Sequence, residues 1–355
     1  MRKQTLRRTL ILVLSAMLAL AYAQRASSSQ TPPLLGVTFT HYKLQRAAIG
    51  ACHPKGPGGD PSPLKGNAII PQYSDPVVRA TVREELAETR RAGIETIRSL
   101  LWFSNRWPNA VDGPLPSDPA LLTEEVVSKV ENFAHDVAAA GFKRLTVAFG
   151  PLGKNSPSCR RLTWGDCFEP ERTKENWRFI SVMRKAIARG AGRALNVEYD
   201  IAVEACPSPY LSPSSRGQLI NYVKTVLSRY AGEFGLKDVR VSCADGPGRM
   251  AEMVDIYRSL GFYPRFAEYH TYKRNPEALK NTLNEVSSAI EGTGMELVLG
   301  EMLYHNHEQA TVISDFLHHH PGVIAELIQW PVKDFDNKCT MDVEPPFTPG
   351  ELGGK

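Results

Sequence analysis

The feature that most constrains the fold is a regular alternation of short apolar runs with longer segments of helical periodicity. One such run, Met295-Glu-Leu-Val-Leu-Gly-Glu301, follows a glycine-rich turn and precedes a polar cluster. This composition is typical of a buried strand that is covered on both faces. The same pattern predicts strands at 34–40, from 94 onward, 144–149, 196–204, 239–243, 265–270, 295–301 and 325–330. The predicted helices lie between them, at 75–92, 122–140, 171–189, 214–234, 250–260, 275–290 and 311–319.

Strict alternation of eight strands with seven helices predicts a parallel sheet, and eight strands predict a closed (β/α)8 TIM barrel in a single α/β domain at 34–330. An open doubly wound sheet is the main competitor, but no G-x-G-x-x-G follows the first predicted strand. An eighth helix is not visible, because residues 331–355 contain four prolines and no helical period. This irregular C-terminal tail either closes the barrel or packs as a separate segment.

The N-terminal residues have the pattern of a signal peptide at 1–23. A basic segment precedes the apolar stretch from Thr9 to Leu20, and an A-x-A site ends at Ala23. The apolar stretch is too short for a comfortable membrane span. We therefore expect a polar spacer at 24–33 and a secreted or periplasmic protein that has no membrane contact after cleavage.

The charge balance excludes some classes of partner. The formal net charge is +4, and four positive charges, those of Arg2, Lys3, Arg7 and Arg8, lie in the predicted signal peptide. The remainder of the chain is close to neutral, which argues against binding to nucleic acid or to a membrane surface.

The six cysteines predict disulfides, because an even number of cysteines in an exported protein favours pairing. No C-x-x-C spacing indicates a zinc cluster. Three pairs fit the predicted barrel, although the spacing leaves the connectivity open. They are Cys159–Cys167 within one loop, Cys206–Cys243 after neighbouring strands, and Cys52–Cys339 beyond the first and last strands.

Two predicted strands end in a glutamate, and these are the candidate catalytic residues. Glu301 ends the seventh strand and Glu204 ends the fourth. Structural roles for Glu301 compete with this interpretation, since it could pair with an arginine or cap the following helix. In a (β/α)8 barrel, however, functional side chains lie at the C-terminal ends of the strands. The residues predicted at these ends are His41, Arg98, Glu204, Asp245, His270, Tyr272, Glu301 and Trp330.

Alternation along the fourth strand predicts which side chains enter the barrel. Val197, Tyr199, Ile201 and Val203 share one parity and suit the helix-facing side. Glu198, Asp200 and Glu204 share the other parity, so the barrel interior is expected to be partly polar.

Two carboxylates at one barrel mouth, with an arginine and aromatic residues nearby, favour glycoside hydrolysis. One carboxylate attacks the anomeric carbon while the other protonates the leaving oxygen, which requires different pKa values. Arg98 and a tyrosine are expected to keep Glu301 ionised. Flat sugar faces would stack on tryptophans of the mouth, and the candidates are Trp102, Trp107, Trp164 and Trp330.

On these residues the chain resembles the clan A retaining glycoside hydrolases, which are (β/α)8 barrels. The resemblance implies that Glu204 is the acid/base and Glu301 the nucleophile. It also implies that Arg98 supports the nucleophile, that His270 or Tyr272 is the strand-six aromatic residue, and that Trp330 lies under the sugar. The sequence departs from the clan at Val203, where the usual residue is an asparagine that holds the sugar 2-hydroxyl.

The sequence therefore predicts a secreted retaining glycosidase acting on a β-linked polysaccharide or oligosaccharide. A catalytically silent carbohydrate-binding barrel is the alternative, and Val203 motivates it; an unrelated barrel hydrolase or lyase is a third possibility. We expect no cofactor, a carbohydrate as the partner, and a monomer. We also expect no metal site, because His305-x-His307 lacks a third ligand and His318 to His320 suit a helix C-terminus.

Overall fold

The structure is a computed structural model, and it describes residues 32–39, 69–105, 114–157, 168–303, 306–330, 345–348 and 351. The described residues from Pro33 onward belong to one compact unit. The predicted signal peptide, most of the spacer and most of the tail lie outside the described residues. So do most of the loop after the first strand and part of the loop after the third.

Eight parallel strands form the wall of a barrel. They are β1 (Leu34–Thr38), β2 (Thr96–Ser104), β3 (Arg144–Pro151), β4 (Asn196–Asp200), β5 (Val239–Arg240 and Ser242–Cys243), β6 (Phe266–His270), β7 (Glu296–Leu303) and β8 (Ile324–Trp330). Consecutive strands are neighbours in the sheet, and β8 returns to pair with β1. The first part of β5 pairs with β4 and the second part with β6. The predicted TIM barrel is therefore confirmed.

Seven helices in the described part of the chain alternate with these strands, as predicted. They are α1 (Pro76–Arg91), α2 (Glu124–Ala139), α3 (Arg172–Ala191), α4 (Pro213–Phe234), α5 (Arg249–Leu260), α6 (Pro276–Ile290) and α7 (His307–His319). None of these helices is long and apolar enough to cross a membrane.

Short polar side chains fix where five of the helices begin. The capping residues accept hydrogen bonds from backbone N–H groups of the first turn, which lack partners inside the helix; they are Asp75, Thr123, Ser212, Asn275 and Asn306. A proline follows the cap in α1, α4 and α6. Its fixed φ and missing N–H suit the first helical position.

The main apolar core lies between the strands and the surrounding helices. It includes Val82 and Leu86 of α1, Phe133 of α2 and Phe179 of α3, all buried. Helices α2 and α3 approach closely at Gly190, where a Cβ would lie 2.1 Å from the carbonyl oxygen of Glu131. Glycine is therefore required at this contact.

The barrel interior is charged, as the parity of β4 predicted. Arg240 is fully buried, and its Nε lies 2.6 Å from Oε2 of Glu268 while its Nη1 lies 3.7 Å from Oε1 of Glu326. Arg144 forms a second ion pair with Glu326. A buried charge is tolerated only when it is paired and hydrogen-bonded. These pairs form the layer on which the residues of the barrel mouth rest.

The prediction for the end of β4 was wrong in one respect. The strand ends at Asp200 rather than at Glu204, and residues 201–204 form bends and turns. Glu204 has φ +52°, a conformation that side chains other than glycine adopt infrequently. Strand alternation therefore does not orient Glu204, and its side chain reaches the mouth through this turn.

Candidate active site

A cluster of ionisable side chains lies at the C-terminal end of the barrel. Arg98 comes from β2, Glu204 follows β4, His270 ends β6 and Glu301 lies on β7. Tyr272 follows His270 by two residues. The fold brings together these five residues, all of which were predicted from the sequence.

Glu301 is 8 % exposed and is held by two donors. Nη1 of Arg98 lies 2.6 Å from its Oε1, and the Tyr272 hydroxyl donates to its Oε2. Burial and the charge of Glu301 raise the pKa of Tyr272, so this phenol remains a donor at neutral pH. The two contacts hold the carboxylate in one position.

Arg98 is fully buried and contacts three carboxylates. Besides Glu301, its Nε lies 2.9 Å from Oε1 of Glu268, and its Nη2 lies 3.5 Å from Oδ2 of Asp200. Burial disfavours the cation, but the nearby carboxylates outweigh it and raise the pKa of Arg98. The guanidinium therefore stays charged and joins residues from β4, β6 and β7.

His270 lies between the two candidate catalytic carboxylates. Its Nδ1 is 3.0 Å from Oε1 of Glu204 and 3.6 Å from Oε2 of Glu301, and its Nε2 is 3.1 Å from Oε1 of Glu268. Burial, and the guanidinium of Arg98, oppose protonation of the ring. The charge of Glu301 and the hydrogen bonds to Glu204 and Glu268 outweigh both and raise the pKa of His270 to about 9. At neutral pH both ring nitrogens therefore carry protons.

The environment of Glu204 differs from that of Glu301. Its side chain is 16 % exposed, and His270 is the partner of its Oε1. Its backbone N–H donates to Oγ of Ser242 at 2.7 Å. Both carboxylates face His270, and a guanidinium and a phenol hold Glu301 in addition.

The two carboxylates converge over the barrel mouth. One ligand atom from each of Glu204, His270 and Glu301 lies within 4.8 Å of the other two. These three atoms could reach a single cation, but the guanidinium of Arg98 occupies Oε1 of Glu301 and repels a second positive charge. The arrangement suits two carboxylates that act on neighbouring atoms of one substrate.

Trp102 borders a hollow beside Glu204. The ring lies over Gly150 of β3, where a Cβ would be 2.1 Å from Cε3 of Trp102, and it is 37 % exposed. Among the described residues the hollow is mainly apolar, and its lining includes Val203, Glu204, Pro151 and Leu152. Val203 thus borders this hollow.

The remaining predicted site residues are less central. Asp245 follows β5 and is engaged by Nζ of Lys273 at 2.9 Å and by the Tyr269 hydroxyl at 3.2 Å. Trp330 ends β8 and is half-buried. His41, Trp107 and Trp164 lie outside the described residues, so their roles stay predictions.

One predicted disulfide is present, and it joins Cys206 to Cys243 with their Cα atoms 4.9 Å apart. It connects the segment after β4 to the end of β5. The predicted Cys159–Cys167 and Cys52–Cys339 pairs lie outside the described residues.

Sequence reasoning did not identify Glu268 and Ser242 as parts of this site. Glu268 is fully buried between Arg98, Arg240 and His270. Glu268 lies two residues before His270 on β6, so strand alternation directs both side chains to the same face. This alternation could have revealed Glu268 from the sequence. The role of Ser242 depends on the turn at Glu204, for which the sequence carries no local signal.

Comparison with solved structures shows a likeness in fold. A broad-specificity endoglucanase from Clostridium longisporum matches with TM-score 0.50 and 14 % identity, over 72 % of this chain and 77 % of that one. A mannotriose complex of the Thermomonospora fusca β-mannanase matches with TM-score 0.49 and 13 % identity, over 86 % and 80 %. No protein-family model matches the sequence, and no curated protein matches it. The predicted resemblance is thus confirmed at the level of the barrel fold.

Proposed function

We propose that this protein is a secreted retaining glycoside hydrolase that cleaves a β-linked polysaccharide or oligosaccharide. The observation that carries the proposal is the convergence of Glu204 and Glu301, whose nearest oxygens lie within 4.8 Å, in unlike surroundings. Retaining enzymes have carboxyl groups about 5–5.5 Å apart, whereas inverting enzymes need about 6.5–9.5 Å to admit water. A nearest-oxygen separation of at most 4.8 Å is compatible with the retaining geometry.

Glu301 is the nucleophile in this mechanism. Its carboxylate oxygen forms a bond to the anomeric carbon while the glycosidic C–O bond breaks, which gives a covalent glycosyl-enzyme. Arg98 and Tyr272 hold the carboxylate in place, so little reorganisation is needed at the moment of attack. The negative charge of Glu301 is neutralised in the new ester bond.

Glu204 is the acid/base and works together with His270. The two side chains hold one proton between them along the 3.0 Å contact of Oε1 with Nδ1. In the first step the proton moves from Nδ1 of His270 to Glu204 and from Glu204 to the leaving oxygen, which leaves the imidazole neutral. In the second step it accepts a proton from the water that attacks the anomeric carbon, and the bond to Glu301 breaks with net retention.

Secretion is supported by the Cys206–Cys243 disulfide, because such bonds persist in oxidising compartments. The basic and apolar pattern of residues 1–23 is the second support.

A carbohydrate-binding barrel without activity is the second candidate, and Val203 favours it. Hydrogen bonds to the sugar 2-hydroxyl strengthen in the transition state of glycosidases. A valine cannot make this bond. The two candidates differ in whether any glycoside is hydrolysed.

The test is a screen of aryl β-glycosides and β-linked polysaccharides for released reducing sugar, with NMR detection of the anomer formed first. We expect turnover with retention. Glu301→Ala should abolish turnover, and added azide should restore part of it as a glycosyl azide. Glu204→Ala should reduce kcat/KM most for poor leaving groups, because activated aryl glycosides need little protonation. Glu277→Ala, at an exposed position of α6, is the matched control and should behave as the parent.

Three results would contradict the proposal. Inversion at the anomeric carbon would exclude a glycosyl-enzyme on Glu301. If both variants kept the parental rates, neither Glu204 nor Glu301 would take part in the reaction. Binding of oligosaccharides without any hydrolysis would favour the silent barrel.

A further inference from the structure

The acid/base carboxylate lies on a turn that the preceding strand does not control. Strand β4 ends at Asp200, four residues before Glu204, and Glu204 adopts φ +52°. An L-residue in this region is disfavoured by contact between its Cβ and the backbone, so it persists only where surrounding contacts hold it. Contacts with other parts of the fold must therefore hold the turn.

Neighbouring strands supply hydrogen bonds on two successive residues. The N–H of Val203 donates to the carbonyl of Phe149 on β3 at 3.1 Å. The N–H of Glu204 donates to Oγ of Ser242 on β5 at 2.7 Å. Ser242 is itself fixed, because it is fully buried and its N–H donates to Oδ1 of Asp200 at 3.1 Å. The turn is thus attached to strands on both sides.

A covalent bond adds a third attachment two residues further on. Cys206 forms its disulfide with Cys243, the residue that follows Ser242 on β5. The hydrogen bond at Glu204 and the disulfide at Cys206 therefore join the same short segment of the turn to the same two residues of β5. Both half-cystines are buried, which keeps the connection out of solvent.

The contacts that hold the turn also connect to Glu301, the proposed nucleophile. Asp200, which accepts from Ser242, lies 3.5 Å from Nη2 of Arg98, and Arg98 contacts Glu301. The position of the Glu204 turn and the position of the Glu301 carboxylate are therefore set by one connected group of buried residues.

We propose that Ser242 and the Cys206–Cys243 disulfide are positioning elements that place the carboxyl group of Glu204 for proton transfer. This inference rests on the proposed function, since it assigns to them the placement of its acid/base. Ser242 and the disulfide touch no reacting atom; they act through the backbone of residues 204–206. A shift of Glu204 by about 1 Å is enough to cost a large part of its contribution.

The first test separates positioning from general stability. Ser242→Ala removes the acceptor of the Glu204 N–H, and the double variant Cys206→Ala/Cys243→Ala removes the disulfide without leaving a thiol. Ser181→Ala is the matched control. Ser181 is a buried serine of α3 that donates to Glu233 of α4 at 2.8 Å, in the layer of helices around the barrel. The readout is kcat/KM for a substrate with a poor leaving group divided by kcat/KM for an activated aryl glycoside of the same sugar.

We expect this ratio to fall about tenfold or more in Ser242→Ala and in the cysteine variant, and to stay constant in Ser181→Ala. A purely structural role predicts equal loss on both substrates, so an unchanged ratio overturns the proposal. Each variant is decisive by itself, which protects the test if the cysteine variant does not fold.

The second test needs no activity. Nδ1 of His270 is 3.0 Å from Oε1 of Glu204, so the NMR titration of His270 reports where that carboxylate lies. Displacement of Glu204 should lower the pKa of His270 in both positioning variants, in the same direction as Glu204→Gln. An unchanged titration overturns the inference. If the pKa of His270 falls in these variants but the parent hydrolyses no glycoside, the proposed function is refuted and the positioning role of Ser242 is kept.

Discussion

The imidazole of His270 contacts the carboxylate of Glu204, with Nδ1 and Oε1 3.0 Å apart, although the two residues are 66 positions apart in sequence. The imidazole is almost fully buried, while the carboxylate is 16 % exposed. The protonated ring of His270 therefore holds a proton next to Glu204 at neutral pH. It also makes the protonation of His270 part of the stability of the fold.

The first prediction is a stability that depends on the titration of His270. Its folded-state pKa of about 9 is above the unfolded value of about 6.5, so the native state binds the proton more tightly. The resulting stability is fully present below pH ~6.5 and is lost as the pH rises through ~9. Urea unfolding between these pH values should show a fall in the free energy of unfolding.

His270→Gln should remove most of this pH dependence, whatever its effect on absolute stability. His318→Gln, at the C-terminal end of α7, is the control and should keep the parental slope. Equal slopes for the parent and His270→Gln would show that His270 does not change its protonation on folding.

The second prediction concerns the hydroxyl of Tyr272, which donates to Oε2 of Glu301. Tyr272→Phe should reduce kcat about tenfold or more, because hydrogen bonds to charged groups contribute about 1.5–3 kcal/mol.

Tyr73→Phe is a suitable comparison for Tyr272→Phe. The Tyr73 hydroxyl donates to Oδ2 of Asp136 at 2.9 Å in the outer layer. Its loss should lower stability by about 1.5–3 kcal/mol and leave kcat unchanged. Parental kcat in Tyr272→Phe would mean that this hydroxyl does not support the nucleophile.

The barrel and most of its mouth could be predicted from the sequence because both depend on local patterns. Apolar runs alternating with helical segments predicted the eight strands, and three of these strands carry Arg98, His270 and Glu301. In a parallel barrel the C-terminal ends of the strands lie at one rim. Proximity of these side chains therefore follows from the fold.

The geometry of Glu204 could not be predicted in the same way. Alternation extended β4 to residue 204, whereas contacts with Phe149 and Ser242 replace the strand by a turn after Asp200. Those contacts join residues far apart in sequence. The partners of Glu268 were hidden for the same reason, although its buried charge is consistent with the polar interior that Glu198 and Asp200 indicated.

The third prediction is that the ionic layer inside the barrel is intolerant of single substitutions. Arg240→Met should destabilise the protein by about 3–5 kcal/mol, because it leaves Glu268 and Glu326 with less compensating charge in the interior. Arg189→Ala is the matched control. Its pair with Glu131 is 2.7 Å long but 56 % and 37 % exposed, so its loss should cost less than about 1 kcal/mol. Similar unfolding midpoints in urea for the two variants would contradict this assignment.

The last prediction tests the hollow between Trp102 and Glu204. In Gly150→Ala the new Cβ would lie 2.1 Å from Cε3 and 2.2 Å from Cζ3 of Trp102, so the ring must move. The fold should survive, because Trp102 is 37 % exposed and can turn toward solvent. Loss of the stacking surface should weaken oligosaccharide binding by about fivefold or more, which corresponds to about 1 kcal/mol. The measurement is calorimetric titration in a Glu301→Ala background, where the ligand is not consumed.

Gly217→Ala in α4 is the control for Gly150→Ala. A Cβ at Gly217 has no neighbour within 4 Å, so affinity should be unchanged and stability should rise by about 0.5–1 kcal/mol. Unchanged affinity in Gly150→Ala would place the sugar elsewhere on the barrel mouth.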